Sequence, residues 1–234
     1  MLFRDREQAG RLLGLRLKEA GEGGSPAGEG PLVLGVPRGG VVVAAQVCEQ
    51  LEAPMELVIP RKIGAPHNPE VAIAAVAPDG VTVLDEDLCR RLEVGETYLR
   101  EERAAQQKEI ARRLKSYRGD RPLPDFVGRR IILVDDGVAT GLTIAAALRW
   151  LAGAGPARLT LAVPVAPPEV VERLKAECDA VVCLETPEPF WAVGQFYERF
   201  EQTSDREVVD LYRRHADRAP EPPDGRDQPD TRPD

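Results

Sequence analysis

Short apolar runs that alternate with helix-forming stretches constrain the fold of this chain more than any other feature. The clearest run is 131–134, and comparable runs occupy 32–36 and 159–163. Uninterrupted apolar runs of this length are typical of strands buried on both faces of a parallel sheet. Their alternation with helices predicts an α/β fold with a doubly wound, mostly parallel sheet. Further strands are expected at 55–59, 71–76, 81–84 and 180–184.

The composition argues against several classes of protein. The formal net charge of −8 does not suit a broad nucleic-acid surface, which needs a dominant basic field. The four cysteines form no C-x-x-C pair and have no zinc-ligand spacing with the two histidines, so no structural zinc site is expected. The N-terminus lacks an apolar leader core, and no stretch reaches about 18 uncharged apolar residues. We therefore expect no membrane contact and a cytoplasmic location.

The most informative polar segment follows the run 131–134. Asp135 and Asp136 lie at the expected strand tip, and the next residue allows a sharp turn. The chain then enters a predicted helix, whose N-terminal N–H groups favour a phosphate. Two adjacent carboxylates are suited to accept hydrogen bonds from vicinal hydroxyls or to organise the water shell of Mg²⁺. The expected substrate-binding residues are Gly137, Val138, Ala139, Thr140, Gly141, Leu142 and Thr143, of which 139–143 are expected to hold a phosphate.

This segment resembles the phosphoribosyl pyrophosphate (PRPP) signature of the type I phosphoribosyltransferase family. The shared pattern is four apolar residues, two acids, a short variable step and Thr-Gly-x-Thr, and it covers 131–143. The resemblance implies that PRPP is a ligand and that Mg²⁺ is a cofactor, held largely indirectly by Asp135 and Asp136. The alternative is a strand–turn–helix that merely caps its helix with Thr143, which leaves the two acids unexplained.

Two other strand ends are similar to binding loops of the family. The turn after the first core strand resembles the loop that holds pyrophosphate, and a common turn is its alternative. The basic pair after the second strand resembles the one that precedes a closing loop, here expected at 63–69, and a surface basic pair is its alternative. The resemblance implies that these residues bind the substrate and that the loop excludes water. They are Arg38, Gly39 and Gly40 in the first turn and Arg61 and Lys62 in the second.

The resemblance, which covers about 30–185, implies one domain at 1–215 with two additions to its core. The mostly charged insertion at 85–118 is expected to be helical, as a solvated surface helix or else as a lid or dimer contact. The hood, at about 186–205, is the part that holds the base in family members. Its aromatic Trp191 is expected to stack on a planar acceptor, with simple hood packing as the alternative. The composition of 21–30 indicates a flexible linker, and that of 216–234 indicates a disordered tail.

The implied reaction is the displacement of pyrophosphate from the ribose anomeric carbon by a nitrogen acceptor. A nucleobase is the expected acceptor. Asp135, Asp136 and Lys62 are the expected catalytic residues, and Asp136→Asn is expected to remove most activity without unfolding the protein. Glu70 is the candidate base for the acceptor. A homodimer is compatible with the resemblance.

Two other classes compete with this enzyme. A non-catalytic PRPP sensor would be expected to carry an added DNA-binding domain or a basic face, and the first 30 residues are too short for a helix-turn-helix domain. PRPP synthesis would need an ATP site and two tandem domains. We therefore favour the transferase and expect no nucleic-acid partner.

Overall fold

The computed structural model describes residues 2–23 and 30–216. Most of the predicted linker, and all of the predicted tail except Ala216, lie outside the described residues. The strands are β1 (Leu32–Gly35), β2 (Met55–Leu57), β3 (Arg61–Ala65), β4 (Asn68–Val76), β5 (Thr82–Leu84), β6 (Arg130–Val134), β7 (Arg158–Val165) and β8 (Ala180–Glu185). The helices are α1 (Arg6–Glu19), α2 (Gly39–Leu51), α3 (Glu86–Arg91), α4 (Glu96–Arg118), α5 (Leu142–Gly153), α6 (Pro168–Leu174) and α7 (Asp205–His215).

Five parallel strands form the central sheet, in the order β2-β1-β6-β7-β8. The register pairs Gly35 of β1 with Val134 of β6, so these two strands end side by side. The order of connections reverses between them, because β2 lies on one side of β1 and the later strands lie on the other. In open α/β sheets, ligands bind at such a switch point, beyond the carboxyl ends of the strands.

Helices cover both faces of this sheet, which confirms the predicted doubly wound α/β fold. Leu34 and Leu133 pack in the core cluster that includes α5 and α6, while Val33 and Ile132 pack in the cluster that includes α1, α2 and α7. Successive side chains of a strand point to opposite faces, so a strand buried on both faces must be apolar throughout. This is the physical reason for the uninterrupted apolar runs.

A second, antiparallel sheet of β3, β4 and β5 corrects one prediction. The segment 63–69 is not a loop for most of its length, because β3 and β4 form a hairpin with Pro66 and His67 in its turn. Ile63 and Ile73 are fully buried and pack with side chains of α3 and α4. Burial against the helical segment therefore orders a stretch whose Gly and Pro content suggested mobility.

The residues at 85–118 form α3 and α4. Helix α4 contacts β3, the turn at Pro78–Gly80 and α7. Its buried side chains are Ile110 and Tyr117, and the Tyr117 hydroxyl donates to Asp205 at 2.7 Å. A thin apolar stripe thus suffices to hold a long, charged helix against the domain. Among the helices of residues 2–23 and 30–216, none combines the length and the apolar character that a membrane span requires.

Candidate active site

A cleft of about 770 Å³ lies beyond the carboxyl ends of β1 and β6. It is bordered by the turn after β1, by the start of the β3–β4 hairpin, by the segment after β6 and by one face of α4. These segments are far apart in the sequence and meet at the switch point of the sheet. The sequence-predicted residues that line the cleft are Arg38, Gly39, Arg61, Lys62, Asp135, Asp136, Gly137, Val138, Ala139, Thr140, Gly141 and Thr143.

Three residues expected to bind substrate do not line the cleft. Gly40 lies beneath Asp135, where an added Cβ would be 2.7 Å from the Asp135 Oδ1 atom. Leu142 packs against the core instead. Trp191 is 83% exposed on the hood, so the ring that was expected to stack on an acceptor faces solvent. Glu70, the candidate base, is also exposed and outside the cleft.

The segment 137–141, which we call the signature loop, joins β6 to the first turn of α5. Gly141 takes the N-cap position with a φ of 80°, a left-handed conformation that favours glycine. The first N–H groups of a helix have no intrahelical partner and attract anions, with help from the helix dipole. The carbonyl of Thr140 accepts from the Arg173 guanidinium, which fixes the outer side of the loop. The loop and the start of α5 both line the cleft, so their backbone N–H groups are candidate donors to a phosphate group.

The two acids of the signature have different surroundings. The Asp135 Oδ1 atom accepts from the backbone N–H of Asp136 at 2.8 Å. Burial, and next the negative charge of Asp136, raise the pKa of Asp135 well above its usual range. Asp136 forms an ion pair with Arg6, whose Nε lies 2.6 Å from Oδ2. Burial raises the pKa of Asp136, and the Arg6 guanidinium opposes that rise.

Arg6 and Tyr197 are site residues that the sequence analysis missed. Arg6 stands 130 residues before its carboxylate partner, in a segment whose sequence indicates only an amphipathic helix. Tyr197 lies in the predicted hood, where it is buried, and its hydroxyl donates to the backbone carbonyl of Asp136 at 2.6 Å. No local sequence pattern marks either contact, because both depend on how the N-terminus and the hood meet in space.

The basic residues of the cleft are held by partners on other elements. The Arg61 Nε atom donates to Gln106 of α4 at 3.0 Å. Burial, and then the nearby positive charge of Arg113, lower the pKa of Arg61 below its usual range. The Arg38 Nη1 atom lies 3.8 Å from Asp205 at the start of α7. Lys62 is exposed and also lines the cleft, so the basic side of the cleft has two tethered guanidinium groups and one exposed amine.

Helix α4 contributes a wall that the sequence did not reveal. Tyr98, Glu102 and Gln106 recur every four residues along one helix face, and all three line the cleft. The Tyr98 hydroxyl donates to the carbonyl of Gly64 at 2.9 Å, which ties the helix to the β3–β4 hairpin. The charged insertion therefore borders the site instead of being only a solvated surface helix.

The acid pair suits a metal that is only partly held by protein. Carboxylate oxygens are hard ligands of the kind that Mg²⁺ binds. Within residues 2–23 and 30–216, no group of three His, Cys, Asp or Glu side chains converges to hold a metal ion. Mg²⁺ usually keeps several waters and takes further ligands from substrate phosphates, so two carboxylates are a fitting donor set.

Comparisons with known proteins agree with this geometry. Residues 24–201 match the model of the phosphoribosyl transferase domain family. Two Mycobacterium tuberculosis proteins, "Putative phosphoribosyl transferase Rv0571c" (strain H37Rv) and "Putative phosphoribosyl transferase MT0597" (strain CDC 1551), are each 42% identical over 217 residues, or 92% of this chain. The match takes in 48% of their sequences, so the chain spans about half the length of these curated relatives.

A solved structure is similar over nearly the whole chain. The crystal structure of TT1426 from Thermus thermophilus has a TM-score of 0.75 and 44% sequence identity, and the match covers 92% of this chain and all of TT1426. The family model alone covers well over half of the sequence, and its matched region contains the acid pair, the signature loop and both basic turns. The chain therefore belongs to the phosphoribosyltransferase family.

Proposed function

We propose that this protein transfers the 5-phosphoribosyl group of PRPP to a nitrogen acceptor and releases pyrophosphate. The observation that carries the proposal is the arrangement of the cleft. An acid pair at a strand tip leads directly into a helix N-terminus, and basic side chains face it from the β1 turn and β3. A ligand with a terminal phosphate, a ribose diol and a pyrophosphate uses all three kinds of group at once.

Each part of PRPP has a matching part of the cleft in this proposal. The 5′-phosphate binds the backbone N–H groups of 137–143 and the hydroxyls of Thr140 and Thr143. The ribose hydroxyls donate to Asp135 and Asp136. The pyrophosphate lies against the Arg38 turn, with the remaining basic residues, Arg61 and Lys62, on its other side.

The proposed reaction breaks the bond between the anomeric carbon and the pyrophosphate oxygen and forms a bond to the acceptor nitrogen. Positive charge develops on the sugar, as in other glycosyl transfers, and negative charge develops on the leaving group. The acid pair stabilises the first charge, and Lys62 and Arg38 stabilise the second. Bound Mg²⁺, held by Asp135 and Asp136 largely through water, supplies further positive charge to the pyrophosphate. The acceptor proposed is a nucleobase, by resemblance to the family.

Calorimetric titration of PRPP into the purified protein, with and without Mg²⁺, tests the binding step. We expect saturable PRPP binding that needs Mg²⁺. Asp135→Asn should lower the PRPP affinity by at least about tenfold, because a carboxylate hydrogen bond is lost. Asp87→Asn, a change of the same kind on the exposed face of α3, is the matched control. The proposal fails if folded wild-type protein does not bind PRPP at millimolar concentrations.

Pyrophosphate release across a panel of nucleobases tests the transfer step. Release with one class of base identifies the acceptor. Mg²⁺-dependent binding without release for any base would favour a PRPP sensor, which is the competing function for the same cleft.

A further inference from the structure

The N-terminal segment is built into the hood. The N–H of Phe3 donates to the carbonyl of Phe196 at 2.8 Å, and the N–H of Glu198 donates to the carbonyl of Phe3 at 2.8 Å. The Phe3 side chain is fully buried, and its ring lies 5.5 Å from that of Tyr197. This pairing fixes the start of α1 beside the cleft.

Arg6 lies in the first turn of α1 and joins this helix to the acid pair after β6 and to the hood. Its Nε donates to Asp136 Oδ2 at 2.6 Å, and its Nη1 donates to the carbonyl of Glu201 at 2.7 Å. Its guanidinium lies 3.7 Å from the ring centroid of Phe200. The side chains of Arg6 and Asp136 are only 12% and 15% exposed. A largely desolvated arginine with donors in two directions and an aromatic face beneath it has little freedom to move.

Gly39 shows how tightly the ion pair is enclosed. A Cβ atom at this position would lie 1.9 Å from Asp136 Oδ2 and 2.6 Å from Arg6 Nε. The first turn of α2 therefore packs directly against the ion pair and leaves no room for another side chain. Asp136 is thus restrained by Arg6 on one side and by the backbone of α2 on the other.

The neighbouring acid has no such partner. Asp135 accepts from the backbone of Asp136. Within residues 2–23 and 30–216 its carboxylate forms no ion pair, although the positive charges of Arg6 and Lys62 partly oppose the rise of its pKa. The two adjacent acids therefore differ: Asp136 is ion-paired inside the protein, whereas Asp135 has only its backbone contact and remains available to a ligand.

We propose that Arg6 is a positioning residue, which holds the carboxylate of Asp136 in one orientation and leaves Asp135, the acid without an ion-pair partner, to meet the ribose hydroxyls and Mg²⁺ of the ligand. The inference rests on the proposed function, because the ligand is PRPP with Mg²⁺. Without Arg6, Asp136 is a buried, unpaired carboxylate that is free to rotate or to compete for the metal. PRPP then meets a different charge and geometry, although no atom of Arg6 touches it.

A double-mutant cycle on PRPP binding tests whether Arg6 acts through Asp136. The variants are Arg6→Gln, Asp136→Asn and the double variant, and calorimetry at saturating Mg²⁺ measures the affinity of each. We expect Arg6→Gln alone to weaken PRPP binding by about tenfold or more. In the Asp136→Asn background, the same change is expected to alter affinity by less than about twofold, since the carboxylate that Arg6 holds is then gone. Equal losses in the two backgrounds would overturn the proposal.

Two further variants separate positioning from general folding. Arg11→Gln removes a partly exposed arginine from the same helix and is expected to leave PRPP affinity unchanged. Arg6→Lys keeps the charge without the planar fork, so its affinity should fall between those of the wild type and Arg6→Gln. If Arg6→Gln does not fold, the double-mutant cycle is repeated with Arg6→Lys. A smaller loss of PRPP affinity in the Asp136→Asn background than in the wild type would again show that Arg6 acts through Asp136.

Failure of the inference and failure of the proposed function are distinguishable. Wild-type protein that does not bind PRPP refutes the proposed function, and the inference falls with it. Wild-type protein that binds PRPP, together with an additive cycle, refutes only the positioning role of Arg6.

Discussion

The two sides of the cleft are built in different ways. The signature loop is a continuous piece of chain between β6 and the start of α5, and its proposed binding groups are mainly backbone N–H donors. The opposite side consists of long basic side chains, two of them held by residues on other elements, as Arg61 is by Gln106. The backbone of β6 and α5 fixes the donors of the signature loop. On the opposite side, each basic side chain is held only where it has a partner on another element.

This difference determines what a mutation does. A change in the signature loop alters backbone geometry and removes several donors together. A change among the tethers frees one side chain and leaves the others in place. We therefore expect large effects on PRPP affinity from the loop, moderate effects from the tethers and none from ion pairs remote from the cleft.

Gly141→Val is expected to have the largest effect on ligand binding. The residue has a φ of 80°, and an added Cβ would lie 3.0 Å from both Arg173 Nη2 and Val170 Cγ1. Straightening this turn withdraws the N–H donors, so calorimetry should show a loss of PRPP affinity of about 100-fold, from strain of a few kcal/mol. Gly153→Ala, at the other end of α5 where the added methyl meets open space, is the matched control. Similar affinities for the two variants would contradict the account of the loop.

Gln106→Leu is expected to have a moderate effect. Its loss frees the Arg61 guanidinium but leaves the charge in the cleft, so PRPP affinity should fall by about three- to tenfold, the value of one hydrogen bond. Gln107→Leu serves as the control, since the Gln107 amide lies beside Gly80 and does not line the cleft. If both variants lose affinity equally, α4 acts through helix stability and the tether is unimportant.

Glu22→Gln should affect stability and leave binding unchanged. Glu22 is buried at the amino ends of β6 and β7, the sheet edge opposite the cleft, where it accepts from Arg130 at 3.0 Å, Arg158 at 2.9 Å and Thr160 at 3.1 Å. At neutral pH, denaturant unfolding of the variant should show a loss of about 1–3 kcal/mol. PRPP affinity should match that of the wild type, and a large loss would show that the two edges are coupled.

The difference in free energy of unfolding between the wild type and Glu22→Gln should depend on pH in a definite direction. Burial by itself raises the pKa of Glu22, but the hydrogen bonds from Arg130, Arg158 and Thr160 outweigh it and lower the pKa below its ordinary 4.5. A carboxyl with a lowered folded-state pKa contributes its stability above the unfolded value and loses it as pH falls through the folded value. The gap between wild type and Glu22→Gln should therefore narrow below pH 4.5, and a constant gap would show that packing, not charge, is responsible.

Trp191→Ala should have little effect on either stability or PRPP binding. The side chain is 83% exposed and lies outside the cleft, so affinity should stay within about twofold of the wild type. A pyrophosphate-release assay with the accepted base then examines the acceptor separately. A loss of release with unchanged PRPP affinity would support the expected stacking role despite this position.

The same contrast, between a continuous loop and side chains held by distant elements, determines how much of the site could be predicted from the sequence. The acid pair and the signature loop lie within one short stretch, so strand, turn and helix signals are enough to locate them. The fold followed from apolar runs for the same reason, since burial on both faces leaves its mark in each strand separately. Arg6 and Gln106 reach their partners, Asp136 and Arg61, across long stretches of chain, and no local pattern predicts such contacts. The strand at 71–76 was predicted, but its hairpin partner at 61–65 was missed, because Ile63 in that strand is buried against the helical insertion.

The pairing of Phe3 with the hood also has a consequence for how the protein is made. The ribosome synthesises Phe3 and Arg6 about 190 residues before their partners at 196–201. Until then, Asp136 has been made but lacks the guanidinium contact that the hood helps to hold in place. We therefore expect the contact between Arg6 and Asp136 to form only after the hood has been synthesised.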